Sequence, residues 1–192
     1  YILYLILKIA KLNIFLMSEK FVIKSPLELE LRDINEICIL KDQHWPLGLK
    51  KQFGLWFVIT NETDKLFLLE KNKKIISFLR LKLRQILVNN TIFDSFYLTE
   101  VCVDKEFQNI GWGKKIMQMS QDFIEKENMN SYLLCNSDQK KFYTNLGWVP
   151  SQNTNCSESL KSTRKKISKD RMCFFYNLKI KDKEITLIGK LF

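Results

Sequence analysis

Between Val101 and Ile116 the chain places Gly111 and Gly113 one residue apart, where a strand pattern gives way to a helix pattern. FYLTEVCV (96–103) is rich in β-branched and aromatic residues and reads as a strand. Beyond the glycines, Ile116, Met117, Met119 and Phe123 are among the apolar positions of a helix running from about Gly111 to Glu127. A glycine inside a helix costs roughly 1 kcal/mol relative to alanine. Two at a helix start imply that close approach to the backbone outweighs helix propensity there. Bare N–H groups at the head of a helix form an anion site, and Lys114 and Lys115 add positive charge.

The rest of the chain supplies the elements such a unit needs. FVIK (21–24), KLFLLE (65–70), IISFLRLKLRQILV (75–88), SYLLC (131–135) and MCFFYNL (172–178) read as strands, the second and third joined by the turn KNKK. Leu27–Trp45 and Leu49–Ile59 carry apolar residues at helical spacing, separated by Pro46 and Gly48, and QKKFYTNLG (139–147) reads as a short helix ending at glycine. Residues 150–171, rich in Ser, Asn and Lys, read as a long basic loop or insertion. Mixed strands and helices of this kind give an α/β or α+β sheet layered with helices.

A chain of 192 residues with 46% apolar and 27% charged residues suits one globular domain over 17–192. The apolar segment 1–16 precedes Met17 and is interrupted by Lys8 and Lys11. It is too short for a membrane span of ~20 residues and reads as a leader or a non-native upstream stretch. The five cysteines are odd in number and form no CxxC pair, which fits free thiols in a reducing cytoplasm. With His44 as the one histidine, neither a zinc cluster nor a histidine-based triad is well supplied. The net charge of +10 points to an anionic ligand or partner. Part of the excess crowds into Lys161, Arg164, Lys165, Lys166, Lys169 and Arg171, a run without aromatic stacking platforms, and this weighs against nucleic-acid reading.

Two familiar phosphate motifs fail on the residues. A P-loop needs GxxxxGK followed by Ser or Thr, and GWGKKI has neither the spacing nor the hydroxyl. A dinucleotide fingerprint needs a third glycine at 116, which is isoleucine. Val101-Cys102-Val103, then Gln108-Asn109-Ile110-Gly111-Trp112-Gly113, instead resembles the acyl-coenzyme A signature of the GNAT superfamily of N-acetyltransferases. Downstream, CNSDQKKFYTNLGW (135–148) is similar to a second family segment through Asn136, Phe142, Tyr143, Leu146, Gly147 and Trp148. Gln139 stands where the family usually has alanine, and the 150–171 stretch is an addition.

The resemblance implies a mixed, mostly antiparallel central sheet flanked by helices and splayed at the acetyl-CoA site. It places the pantetheine arm along Val101, Cys102 and Val103. The pyrophosphate falls on Gln108, Asn109, Ile110, Gly111, Trp112, Gly113 and Lys114, and Asn136 holds the coenzyme by its amide. It implies direct attack by an acceptor amine, with no enzyme nucleophile and no metal. Tyr143 matches the family tyrosine that protonates the departing thiolate. For the general base Glu100 and Tyr97 are equal candidates; strand alternation puts them on opposite faces unless a bulge intervenes. His44 is a weaker candidate for the base; it sits between the first two helices, where the family commonly gathers acceptor-binding residues. The acceptor is a primary amine on a small molecule, an amino sugar or a protein, and the chain acts as a monomer or homodimer. The alternative is a non-catalytic module that binds acyl-coenzyme A or nucleic acid.

Overall fold

Amphipathic spacing decides where the helices lie. In α1 (Leu31–His44) the buried residues Ile34, Ile37, Cys38, Leu40 and Lys41 make one helical stripe. A glycine-led bend separates it from α2 (Leu49–Ile59), which buries Gln52 and Trp56. On the opposite side of the sheet, α3 (Trp112–Lys126) buries Trp112, Ile116, Met117, Ser120, Gln121 and Ile124. The short helix α4 (Lys140–Asn145) follows a single 3-10 turn and buries Tyr143.

In this computed structural model the described residues are 19–151, 154–157, 163, 165–168, 170–178 and 184–189. The expectations for residues 1–16, and for Lys161, Arg164 and Lys169 of the basic stretch, lie outside them. The strands are β1 (Glu19–Lys24), β2 (Lys65–Lys71), β3 (Lys74–Val88), β4 (Thr91–Val103), β5 (Asn130–Asn136), β6 (Val149–Ser151), β7 (Thr154–Ser157), β8 (Lys165–Lys166), β9 (Arg171–Tyr176) and β10 (Ile185–Ile188). They form one mixed, mostly antiparallel sheet, ordered β6-β9-β5-β4-β3-β10-β7-β8, with β1 and β2 beside the first half of β3. Parallel pairing joins β4 to β5 and β7 to β10.

Three larger apolar clusters and a smaller one of Leu69, Ile76 and Trp112 fill the two faces. On the α3 face, Phe67, Leu79, Leu81, Phe96 and Leu98 pack with Ile116, Met117, Leu133, Tyr143, Trp148 and Phe174. On the other, Ile37, Cys38, Leu40 and Trp56 cover Leu66, Leu68, Phe78 and Cys102. The third cluster gathers Ile86, Tyr97, Tyr132, Cys173, Phe175 and Leu187 from five strands. Consecutive strands β6 and β7 stand far apart in the sheet order, yet Thr154 Oγ1 donates to Ser151 Oγ at 2.9 Å. The β6 edge of the sheet therefore comes round beside β7.

Two expectations are corrected here. Residues 150–171 are not all loop, because β7 and β8 pair within that stretch, and β10 is a further strand. TNCS and KK are too short and too polar to show alternation; backbone pairing with a neighbour makes them strands. Tyr97 and Glu100 are not on opposite faces. Phe78 pairs with Cys102 and Arg80 with Thr99, so β4 carries one more residue than β3 across this interval. That bulge turns Glu100 toward α1, onto the face that holds Tyr97.

Filling and polarity make separable demands on this core. Phe174→Ala is expected to lower the unfolding free energy by ~3–5 kcal/mol through the cavity it leaves. Tyr132→Phe removes a buried hydroxyl without a partner among the described residues, and should change stability by less than ~1 kcal/mol. Urea titration of both variants checks this; a loss of several kcal/mol in Tyr132→Phe would contradict it.

Candidate active site

Pairing between β4 and β5 runs from Ser95↔Asn130 to Leu98↔Leu133 and then stops, although β4 continues to Val103 and β5 to Asn136. The strands splay from that point, and a cleft opens between their ends. The bulge at Glu100 sits at the root of the splay. Asp104 N–H donates to Ile76 O on β3 at 2.8 Å. Backbone groups alternate along a strand, so Val101 and Val103 turn theirs away from β3, toward the cleft. The Val103 carbonyl accordingly accepts from side chains off the sheet, His44 Nε2 at 2.8 Å and Gln108 Nε2 at 3.2 Å. His44 thus stands at the outer end of β4, bonded to backbone, and Gln108 is tied to the same atom. Cys102 turns the other way; its side chain is buried under α1 and its carbonyl accepts from Ser77 Oγ at 2.8 Å.

Beyond β4 the chain makes a 3-10 turn over Lys105–Phe107 and a second turn to Gly111. Asn109 has φ 62° and Gly111 φ 98°, the left-handed region that glycine enters freely. Gly111 caps α3 without a side-chain hydrogen bond, so the first N–H groups of the helix carry no side-chain cap. A Cβ added at Gly113 would stand 3.6 Å from Val103 Cγ2 and 3.7 Å from Phe142 Cζ. The Gly113 backbone thus lies between Val103 of β4 and Phe142 of α4. The Trp112 side chain is buried against Leu69 and Ile76. Ile110 and Lys114 are exposed, and Lys115 lies over the Trp112 ring at 4.1 Å.

Tyr143 lies on the α3 side of the cleft, 5.9 Å centroid to centroid from Phe174 and 5.1 Å from Phe142. It is 6% exposed, and burial pushes its phenol well above the ordinary tyrosine value. Cys135, beside it in the same cluster, is pushed up to about 11 by burial. Asn136 ends β5, exposed, opposite Arg171 of β9 and without a capping bond to the turn that follows. Tyr97 is on the other face, stacked on Tyr132 at 4.9 Å, and burial raises its phenol against an opposing hydrogen bond with Thr99. Glu100 shares that face but is not free. Its carboxylate pairs with Lys41 of α1 and with Arg80 Nε of β3, the latter at 2.8 Å and off the hydrogen-bonding line.

The comparisons with known proteins meet this geometry. The family model for the acetyltransferase (GNAT) domain matches residues 50–168. The chain belongs to the GNAT acetyltransferases. Among solved structures, Escherichia coli ElaA superposes with TM-score 0.58 at 11% identity, over 82% of this chain and 99% of that one. The ribosomal-protein-S18-alanine N-acetyltransferase of Escherichia coli gives 0.56 at 18% identity, over 81% and 92%. A conserved Enterococcus faecalis protein described as a probable N-acyltransferase gives 0.56 at 14%; 72% of this chain covers 33% of that one. Likeness at these identities is likeness of fold. Among curated proteins none matches the sequence.

Within this GNAT domain sequence reasoning missed a buried charged cluster next to the bulge. Arg80, fully buried, reaches Thr60 Oγ1 at 2.9 Å and Asp64 Oδ2 at 3.3 Å, with its guanidinium 4.6 Å from the Trp56 ring centroid. Lys82 extends to the Ile59 carbonyl and lies 3.5 Å from Asp64, its ammonium pulled down by burial. The signal was present in RLKLR (80–84), where cations occupy the positions that alternation assigns to a buried face. Among the described residues no group of His, Cys, Asp or Glu is arranged to hold a metal ion, and no helix is long and apolar enough to cross a membrane.

Asp104 fixes the exit from β4 into the glycine turn. It accepts from Glu106 N–H at 3.1 Å and pairs with Lys74 at 2.8 Å. Burial alone would raise its carboxyl; the Lys74 ammonium and the Glu106 N–H outweigh that and hold it below the ordinary value. Because the folded-state value is depressed, the stabilisation exists above the unfolded-state pKa and is lost as pH falls through the folded one. Asp104→Asn keeps an oxygen for the Glu106 N–H and loses the pair with the half-exposed Lys74, so it should cost less than ~1 kcal/mol at pH 7, and the gap in Tm to the wild type should close as pH approaches 3. Thermal melts from pH 7 to 3 check this; a gap that widens toward acid would contradict it.

Proposed function

We propose that this protein transfers an acetyl group from acetyl-CoA to a primary amine by direct attack. The observation that carries the reading is the interrupted β4–β5 ladder, ending beside an uncapped, glycine-led helix N-terminus. Unpaired strand backbone recognises an extended amide chain by strand addition, and Val101 and the N–H of Val103 would take the pantetheine arm in this way, the Val103 carbonyl being held by His44 and Gln108. The turn 108–111 and the N–H groups of Trp112, Gly113 and Lys114 would hold the pyrophosphate, with Asn136 at the opposite wall. Bound acetyl-CoA supplies the thioester; a backbone N–H of the bulged segment would polarise its carbonyl, an oxyanion-type effect.

Burial keeps the Tyr143 phenol protonated at neutral pH, as a proton donor to a departing thiolate requires. The acceptor amine would approach on the face of Tyr97 and Glu100. Burial also keeps Tyr97 protonated, which suits it to relay a proton through its hydroxyl rather than to act as a phenolate. The buried cysteines fit a reducing cytoplasm. The acceptor class is a small-molecule amine, an amino sugar or a protein amine. A panel of amino sugars, polyamines and peptides, including one with N-terminal alanine, read by coenzyme A release, selects among them.

Gly111→Val forces a β-branched residue to φ 98° and should weaken acetyl-CoA binding severely in calorimetry. Tyr143→Phe should keep affinity and lose ~10²–10⁴-fold in turnover on the amine the panel selects. Unchanged affinity in a folded Gly111→Val would remove the glycine turn from the site. Wild-type turnover in Tyr143→Phe would leave that tyrosine a packing residue.

A further inference from the structure

Eight non-glycine residues among those described have positive φ. Six are asparagines and one is Lys73, all at turns or bends; Glu100, at φ 58°, is the one inside a strand. The Cβ of any residue but glycine disfavours that region, and glutamate lacks the short side-chain amide by which asparagine offsets the cost. What holds Glu100 there is visible on the α1 face. Its carboxylate lies between Lys41, 4% exposed on α1, and the fully buried Arg80 on β3. Arg80 in turn is fastened to Thr60 and Asp64 and lies over Trp56, so the carboxylate is tied to α1, α2 and β3 together. The Glu100 carbonyl also accepts from Cys102 Sγ at 3.2 Å, which closes the bulge on itself.

We propose that Lys41 and Arg80 are positioning residues that clamp Glu100, and that the clamp keeps the β4 bulge shaped so that Val101 presents its backbone to the cleft. Glu100 then serves as the strut of the site, and the proton of the acceptor amine is taken elsewhere. The clamp rests on the acetyl-transfer reading above and deepens it. Both partners come from elements remote in sequence: Lys41 lies 59 residues before Glu100 and Arg80 lies 20 before it. The bulge is therefore set by tertiary packing. Loss of Glu100 leaves Lys41 buried without its carboxylate, and loss of Lys41 leaves Glu100 to Arg80 alone, so single losses disturb the strand more than loss of the pair.

The test compares Lys41→Met, Glu100→Gln and the double variant in the full chain, using acetyl-CoA and the amine selected by the panel. Each single variant should lose ~10–100-fold in kcat, the scale of a small misplacement at a reacting centre. Calorimetric affinity for acetyl-CoA should fall in each single variant alongside kcat, because Val101 also takes the pantetheine arm, and the double variant should lose no more than the worse single one. The acidic limb of the pH profile should keep its midpoint in Glu100→Gln. Disappearance of that limb would make Glu100 the base and overturn the clamp, as would additive losses or wild-type kcat in Lys41→Met. If Glu100→Gln does not fold, Lys41→Met carries the test through hydrogen exchange: amides 99–103 should exchange faster than in wild type, and unchanged exchange overturns the proposal. Failure of wild type to bind acetyl-CoA would instead refute the functional reading, a result distinct from any of these.

Discussion

The interruption of the β4–β5 ladder after Leu98 and Leu133 is the constraint on which the remainder of the structure depends. Buried backbone groups are almost always paired, and five residues at the end of β4 and three at the end of β5 forgo that pairing across the cleft. The surroundings divide the consequences. His44 and Gln108 take up the Val103 carbonyl, Ser77 the Cys102 carbonyl, and Ile76 the Asp104 N–H. What is left open is the stretch of main chain that an extended ligand could pair with. The glycine-led head of α3 stands at the mouth of the same cleft, so the anionic end and the amide-bearing arm of the proposed coenzyme would meet one continuous edge.

The cost of this arrangement is carried by polar groups in the interior. Lys41, Arg80 and Lys82 are almost fully buried with Asp64 and Glu100 between them, a composition that apolar side chains of equal volume would often match or exceed in stability. Their placement next to a left-handed strand residue gives them a different use. Apolar packing is tolerant of small slips, whereas a carboxylate held from three elements fixes one backbone geometry. The aromatic contacts on the opposite face, Tyr143 with Phe142, Phe174 and Trp148, provide the complementary rigid wall.

The parts of this design that were legible in the sequence are those with local signatures. Gly111 and Gly113 marked the helix head, since Gly111 has a φ that only a few residue types adopt readily. The amphipathic spacing of 112–126 and 31–44 marked the helices, and FYLTEVCV marked the central strand, though its first half, from Thr91, was passed over. The bulge was not legible. Nothing in LTEVCV distinguishes a regular strand from a bulged one, and Glu100 reads as an ordinary outward-facing residue until Lys41 and Arg80 are brought to it. The hydrogen bond of His44 was not legible for the same reason: its partner, the Val103 carbonyl, is 59 residues away. The short strands β7, β8 and β10 depend on pairing with distant neighbours and carry no periodicity of their own.

The central claim is that the open edges of β4 and β5 receive the coenzyme as an added strand. Hydrogen exchange of the full chain, with and without saturating coenzyme A, reads those edges residue by residue. The account predicts that amides within 99–103, 108–115 and 134–136 slow on binding, while those of the paired segment 95–98 change little. Binding that leaves 99–103 unprotected, or that protects a surface away from α3, would contradict it.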